Sequence, residues 1–183
     1  MQPNPSGPAR LRSGLILYPS QNHAIDVALS ELIEQLPARY VLLTDVSGQV
    51  IISRGHHTGL DPVPLASLVA GDLAANQEIA RLLGEYRPSQ LTLREGDTAH
   101  TFTVEAGAYL ALLVQIDSHV PLGWARIMVL QCAQKLAQIV ETPPPETQHR
   151  SSTSDSAEHR LLTGGDDLSD LFGNALDELW NQS

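Results

Sequence analysis

Between residues 22 and 37 apolar side chains recur at intervals of three and four: Ile25, Ala28, Leu29, Leu32 and Ile33, the spacing of one helix face. Asn22 is placed to cap this helix and Pro37 to close it. The period then changes. "RYVLLTDVSGQVIISRG" holds two apolar runs, Tyr40 to Thr44 and Val50 to Ser53, separated by Asp45, Ser47 and Gly48, and predicts a β-hairpin. After the His-rich loop "GHHTGLDP", Pro62 opens a second helix that runs to about Leu83, with Gly84 as its stop. Three strands follow. "SQLTLREG" and "HTFTVEAG" alternate apolar and polar positions, whereas "AYLALLVQI" is nearly continuous and predicts a central strand covered on both faces. A last helix, from about Leu122 to Val140, carries Ala125, Val129, Cys132, Ala133 and Leu136 on one stripe and ends before Pro143. The order α-β-β-α-β-β-β-α predicts an α+β domain on a five-stranded antiparallel sheet over residues 22–141.

Outside these limits the pattern fades. Residues 1–21 hold four prolines and few apolar groups and read as a flexible leader. Residues 142–165 have the Pro, Ser and charge content of a linker. Residues 166–183 place Leu168, Leu171, Phe172, Leu176, Leu179 and Trp180 on one stripe opposed by Asp170, Asn174 and Asp177, an acidic amphipathic helix. Alone, a helix this short is marginal. Burying each large apolar side chain contributes roughly 1.5 to 3 kcal/mol, so the stripe is expected to seat in a groove of a further protein partner or on its own domain.

Charge narrows the partners. The formal net charge of the 183 residues is −10, a poor match to nucleic acid or an anionic membrane. Residues 141–183 carry nine acids against two bases, so much of the acidity lies in the tail. The single cysteine, Cys132, forms no internal disulfide, and the apolar run Gly14–Tyr18 is too short for a signal peptide or a membrane span. A cytoplasmic protein is expected.

The second helix contains an anomaly. Stepping 100° per residue puts Leu65, Leu68, Val69, Leu73, Ile79 and Leu83 toward the sheet, and Ser67, Ala70, Gly71, Ala74, Glu78 and Arg81 on the opposite side. Large charged residues would suit water there. A glycine inside a helix costs roughly 1 kcal/mol against alanine, so Gly71 needs a reason beyond helix propensity. A flat row of small residues that another backbone can approach supplies one. Asp72 and Asn76 fall within the apolar side, where buried polar groups need partners, and a second subunit is the expected source.

The element order, the hairpin "YVLLTDVSGQVIIS", the helix "SLVAGDLAANQEIARLLGE" and the closing "GWARIMVLQCAQKLAQIV" together resemble a Roadblock / dynein-light-chain domain of the bacterial MglB-like branch, over about residues 24 to 140. The resemblance implies a homodimer whose two sheets join edge to edge and whose central helices lie side by side. It also implies a Ras-like small GTPase of the MglA type as partner, with the chain acting as a GTPase-activating protein. Ser67, Gly71, Ala74, Ala75 and Glu78 match the helix surface that would meet it. A non-catalytic scaffold built on the same dimer is the alternative, and a GAF- or PAS-type small-molecule sensor ranks behind both.

No catalytic frame is evident. "GxxxxGK[ST]" and "GxSxG" are both absent, so no catalytic residue, cofactor or metal is expected. Arg81 and Arg54 are the positions from which an arginine would be supplied in trans, although solvated surface arginines are the preferred reading and the resemblance implies that the GTPase's own residues are repositioned. His56, His57, His100 and His119 lack ligand spacing. Cys132 lies on the apolar stripe and reads as core.

Overall fold

A computed structural model describes residues 7–55, 59–85 and 91–142. Two short strands, β1 (Ala9–Arg10) and β2 (Ile16–Leu17), pair as an antiparallel hairpin. They are followed by α1 (Pro19–Gln35), β3 (Ala38–Asp45), β4 (Val50–Gly55), α2 (Pro62–Leu82), β5 (Leu91–Arg94), β6 (Ala99–Ala106), β7 (Leu110–Asp117) and α3 (Leu122–Glu141). The last five strands form one sheet in the order β4-β3-β7-β6-β5, antiparallel throughout. The nearly continuous apolar strand β7 sits at its centre, as its sequence predicts.

Alternation along the strands divides the side chains between two faces. On one, Val41, Leu43, Phe102, Val104, Leu112, Val114 and Ile116 pack with Ile25, Leu29 and Leu32 of α1 and Val129, Ala133 and Leu136 of α3. Among the described residues the other face is covered by α2, through Ala66, Val69 and Leu73 against Tyr40, Leu42, Ala111 and Leu113. The β3–β4 turn depends on Gly48, whose φ of 81° suits glycine.

The leader is not a free segment over its described part. Leu11, Leu15 and Leu17 are buried in the core beneath α1 and α3. The loop between β1 and β2 closes by backbone bonds, with the Leu11 amide donating to Leu15 O at 2.8 Å and the Gly14 amide to Leu11 O at 3.0 Å. Proline content hid a hairpin whose strands are two residues each. Asn22 is likewise not the cap of α1: the helix begins at Pro19, the fixed φ of which suits a first turn, with Tyr18 as N-cap. The Gln21 side chain donates to the carbonyls of Ile139 at 2.9 Å and Thr142 at 3.1 Å, tying the start of α1 to the end of α3.

The chain divides into two units after Thr142. Thr142 itself caps α3, its amide donating to Gln138 O at 3.1 Å. The rest of the linker and the acidic helix, with Leu168, Leu171, Phe172, Leu176, Leu179 and Trp180, lie outside the described residues.

Candidate functional site

Helix α2 starts where Asp61 accepts a bond from the Val63 amide at 2.9 Å and Pro62 occupies the first turn. Its buried side is narrower than the periodicity predicts. Ala66, Val69 and Leu73 are buried and Leu65 is half-buried. Leu68 is 70% exposed, Ile79 55%, Leu82 75% and Leu83 70%, which corrects the placement of Leu68, Ile79 and Leu83 against the sheet. At Asn76 the helix already reaches β5, the last strand of the sheet. Beyond that point Gln77 still meets Glu105 of β6, while Ile79, Leu82 and Leu83 stay exposed.

The half-covered face leaves a groove of about 530 Å³ along α2. Leu65, Leu68, Val69 and Leu113 form its apolar part and Arg94, Thr101 and Thr103 its polar part, with Ser67, Gly71 and Asp72 on the helix side. Strand register explains the polar row, since Thr92 pairs with Thr103 and Arg94 with Thr101, which puts all four on the α2 face. The polar phase of "LTLR" and "HTFTVEA" held that signal, which alternation alone does not distinguish from a solvent-facing row.

Polar contacts across this face are largely internal. Arg94 forms an ion pair with Asp72 Oδ1 at 2.5 Å, and the Asn76 side-chain amide donates to the same oxygen at 3.2 Å and to Thr92 Oγ at 3.1 Å. The expectation that Asp72 and Asn76 need a second subunit is therefore corrected, because β5 meets both. What stays unpaired is Asp72 Oδ2 and the Thr103 hydroxyl, buried without a hydrogen-bond partner among the described residues. Thr103 is 1% exposed. Farther along α2, the Gln77 amide donates to the buried Glu105 at 2.8 Å.

The expected docking residues separate into two groups. Ser67 and Gly71 border the groove, whereas Ala74, Ala75, Glu78 and Arg81 are exposed and Ala70 is half-buried. A Cβ built on Gly71 meets nothing within 4 Å, so no contact among the described residues requires glycine there. Arg81 and Glu78 form a two-bond ion pair at 2.7 and 2.9 Å that raises the guanidinium pKa and lowers that of the carboxyl. Arg54 lies on the opposite face, held by Asp26 and by Ser30 Oγ of α1. The two arginines thus occupy opposite faces of the sheet.

The remaining candidates are dispersed. His56 and His57 lie outside the described residues. His119 is exposed beside Asp117, whose carboxyl is held below its usual pKa chiefly by Arg39 at 2.5 Å. Among the described residues no three His, Cys, Asp or Glu side chains are grouped to hold a metal, and no helix is long and apolar enough to cross a membrane. Cys132 is buried between α1 and α3, and burial pushes its thiol up to about 12.

One site was missed by the sequence reading altogether. Asp45, at the end of β3, is fully buried; its Oδ1 accepts from the Ser47 amide and hydroxyl and the Gln49 amide, and its Oδ2 from the Ser13 amide at 3.0 Å. Burial alone would raise this carboxyl, but the bonds from Ser47, Gln49 and Ser13 together hold it below its ordinary value.

The three-helix, five-strand architecture is that of a Roadblock/LC7 domain: one from Streptomyces avermitilis superposes with a TM-score of 0.56 at 18% identity, covering 64% of this chain and 98% of that one. Neither a family model nor a curated protein matches the sequence. Solved structures carry the comparison further. The gliding protein MglB from Thermus thermophilus is 31% identical, with a TM-score of 0.62 over 72% of this chain and 98% of that one. An MglB with a tetrameric arrangement gives the same identity, coverage and TM-score. The chain belongs to the MglB family.

Proposed function

We propose that the chain is a cytoplasmic dimeric regulator of a Ras-like small GTPase, acting as a GTPase-activating protein through its paired α2 helices. The observation that carries this is the half-covered face of the sheet. Among the described residues of this MglB-family chain, one helix covers that face of the sheet and leaves exposed leucines, a glycine whose Cβ would meet nothing, and a groove with two unpaired buried polar atoms. Leu68 and the groove, with the edge strand β5, receive the second copy. The tetrameric arrangement of a relative supports self-association of this domain type. Ala74, Ala75, Glu78 and Arg81, on the exposed side of the same helix, meet the GTPase.

Activation works on the partner's site. Arg81 is engaged by Glu78 and Arg54 faces away beneath α1, so the chain acts by positioning the GTPase's own groups. The test is the single-turnover GTP hydrolysis rate of a Ras-like GTPase from the same organism, alone and with this protein. An acceleration of about a hundredfold, worth about 2.7 kcal/mol of barrier, is expected, together with its loss in Ala74→Arg. Binding without acceleration contradicts activation and makes the dimer a scaffold; no binding contradicts the GTPase partnership itself.

A further inference from the structure

The residues that hold the β3–β4 turn in place reach outward in two directions. On one side the Ser13 amide donates to Asp45 Oδ2 at 3.0 Å, and the Arg12 amide donates to Gln49 Oε1 at 2.9 Å. Both donors come from the loop of the β1–β2 hairpin, whose Leu11, Leu15 and Leu17 are anchored in the core under α1 and α3. On the other side the turn touches the docking helix. A Cβ on Gly48 would stand 2.8 Å from Ser67 Cα and 3.2 Å from Ala66 O, backbone that cannot move aside as a side chain does. Within the turn, Asp45 binds Ser47 and Gln49, and the Asp45 and Gln49 backbones bond at 3.0 Å. Gly48 therefore lies between one residue held by Asp45 and one held by both Asp45 and Arg12.

We propose that the β1–β2 hairpin is a brace: through Ser13, Arg12, Asp45 and Gln49 it presses the Gly48 turn against Ala66 and Ser67, and so fixes the first turns of α2. Asp45 and Gln49 are positioning residues, and the chain's N-terminal segment becomes part of the machinery that presents α2. The same turn carries the exposed Val46, whose amide donates to Tyr109 O at 2.9 Å, so the turn is also tied to the start of β7. The physical link stands on contacts inside one protomer. Only its consequence, that loosening the brace weakens partner docking, rests on the GTPase reading.

The test is amide hydrogen exchange on the full-length chain and its Asp45→Asn and Gln49→Ala variants, without any GTPase. Asp45→Asn replaces the acceptor facing the Ser13 amide with an NH₂ group, and Gln49→Ala removes the acceptor of the Arg12 amide while leaving Asp45 in place. In each variant the amides of Ser67 to Ala70 are expected to exchange about tenfold faster than any change shared with the α1–α3 amides of Leu29 and Leu136. A rise at Ser67 to Ala70 no larger than that of Leu29 and Leu136, in both variants, overturns the brace. A GTPase that fails to bind the wild type leaves this result untouched and counts only against the functional reading.

Discussion

The two faces of one sheet are built to different standards. Toward α1 and α3 the strands offer Leu43, Phe102, Val104, Leu112, Val114 and Ile116, all at most 1% exposed, under two helices and the N-terminal hairpin. Toward α2 the same strands offer Thr92, Arg94, Thr101, Thr103 and Glu105 on the β5–β6 half, and the covering helix leaves a groove beside it. The closed face needs nothing more, since its apolar area is already removed from water. Among the described residues the open face keeps leucines in solvent and leaves two buried polar atoms unpaired. Under the proposed function, fold stability and recognition fall to opposite sides of the sheet.

Core truncation measures that division most strongly. Phe102→Ala on the closed face is expected to lower unfolding stability by about 3 to 5 kcal/mol in denaturant titrations, whereas Leu68→Ala on the open face should stay within about 0.5 kcal/mol in the dissociated protomer. Equal losses would erase the contrast. The carboxyl at Asp45 comes next. Its folded pKa lies below the unfolded value of 3.8, so its contribution is present above that value and fades as pH falls through the folded pKa. Replacing it by Asn is expected to cost about 2 kcal/mol at pH 7, a gap to the wild type that narrows as pH falls below 3.8 and closes below the folded pKa. A gap independent of pH would show that the charge of Asp45 has no part in holding the turn. The smallest effect changes sign with the measurement: Gly71→Ala, whose added Cβ meets no described atom within 4 Å, should stabilise the isolated protomer by about 1 kcal/mol through helix propensity, while Gly71→Arg should weaken assembly.

Much of the fold was legible because strong periodicity met unambiguous punctuation. Pro62 and Gly84 bracket α2, Gly48 marks the hairpin turn, and the unbroken apolar run of β7 foretold its central position. The N-terminal hairpin was illegible because its strands are too short to show alternation and its leucines are spaced among prolines and arginines. On α2 the sequence singled out Gly71, whose added Cβ would meet no described atom within 4 Å, but misjudged which apolar side chains are buried. Helical spacing states which residues share a side, and it cannot state where the sheet beneath ends. Leu68 stands over the groove, and Ile79 and Leu83 stay exposed past the point where Asn76 and Gln77 meet β5 and β6. Asp72 and Asn76 were recognised as needing partners, but those partners, Arg94 and Thr92, belong to a strand distant in sequence and adjacent only after folding.

That the open face is an interface is tested most directly by light scattering of the full-length chain at micromolar concentration, beside its Leu68→Glu variant. The account predicts twice the 19.8 kDa chain mass or more for the wild type, and the mass of a single chain for Leu68→Glu with its circular dichroism unchanged. A wild type that scatters as one chain, or a variant that assembles as the wild type does, would contradict it.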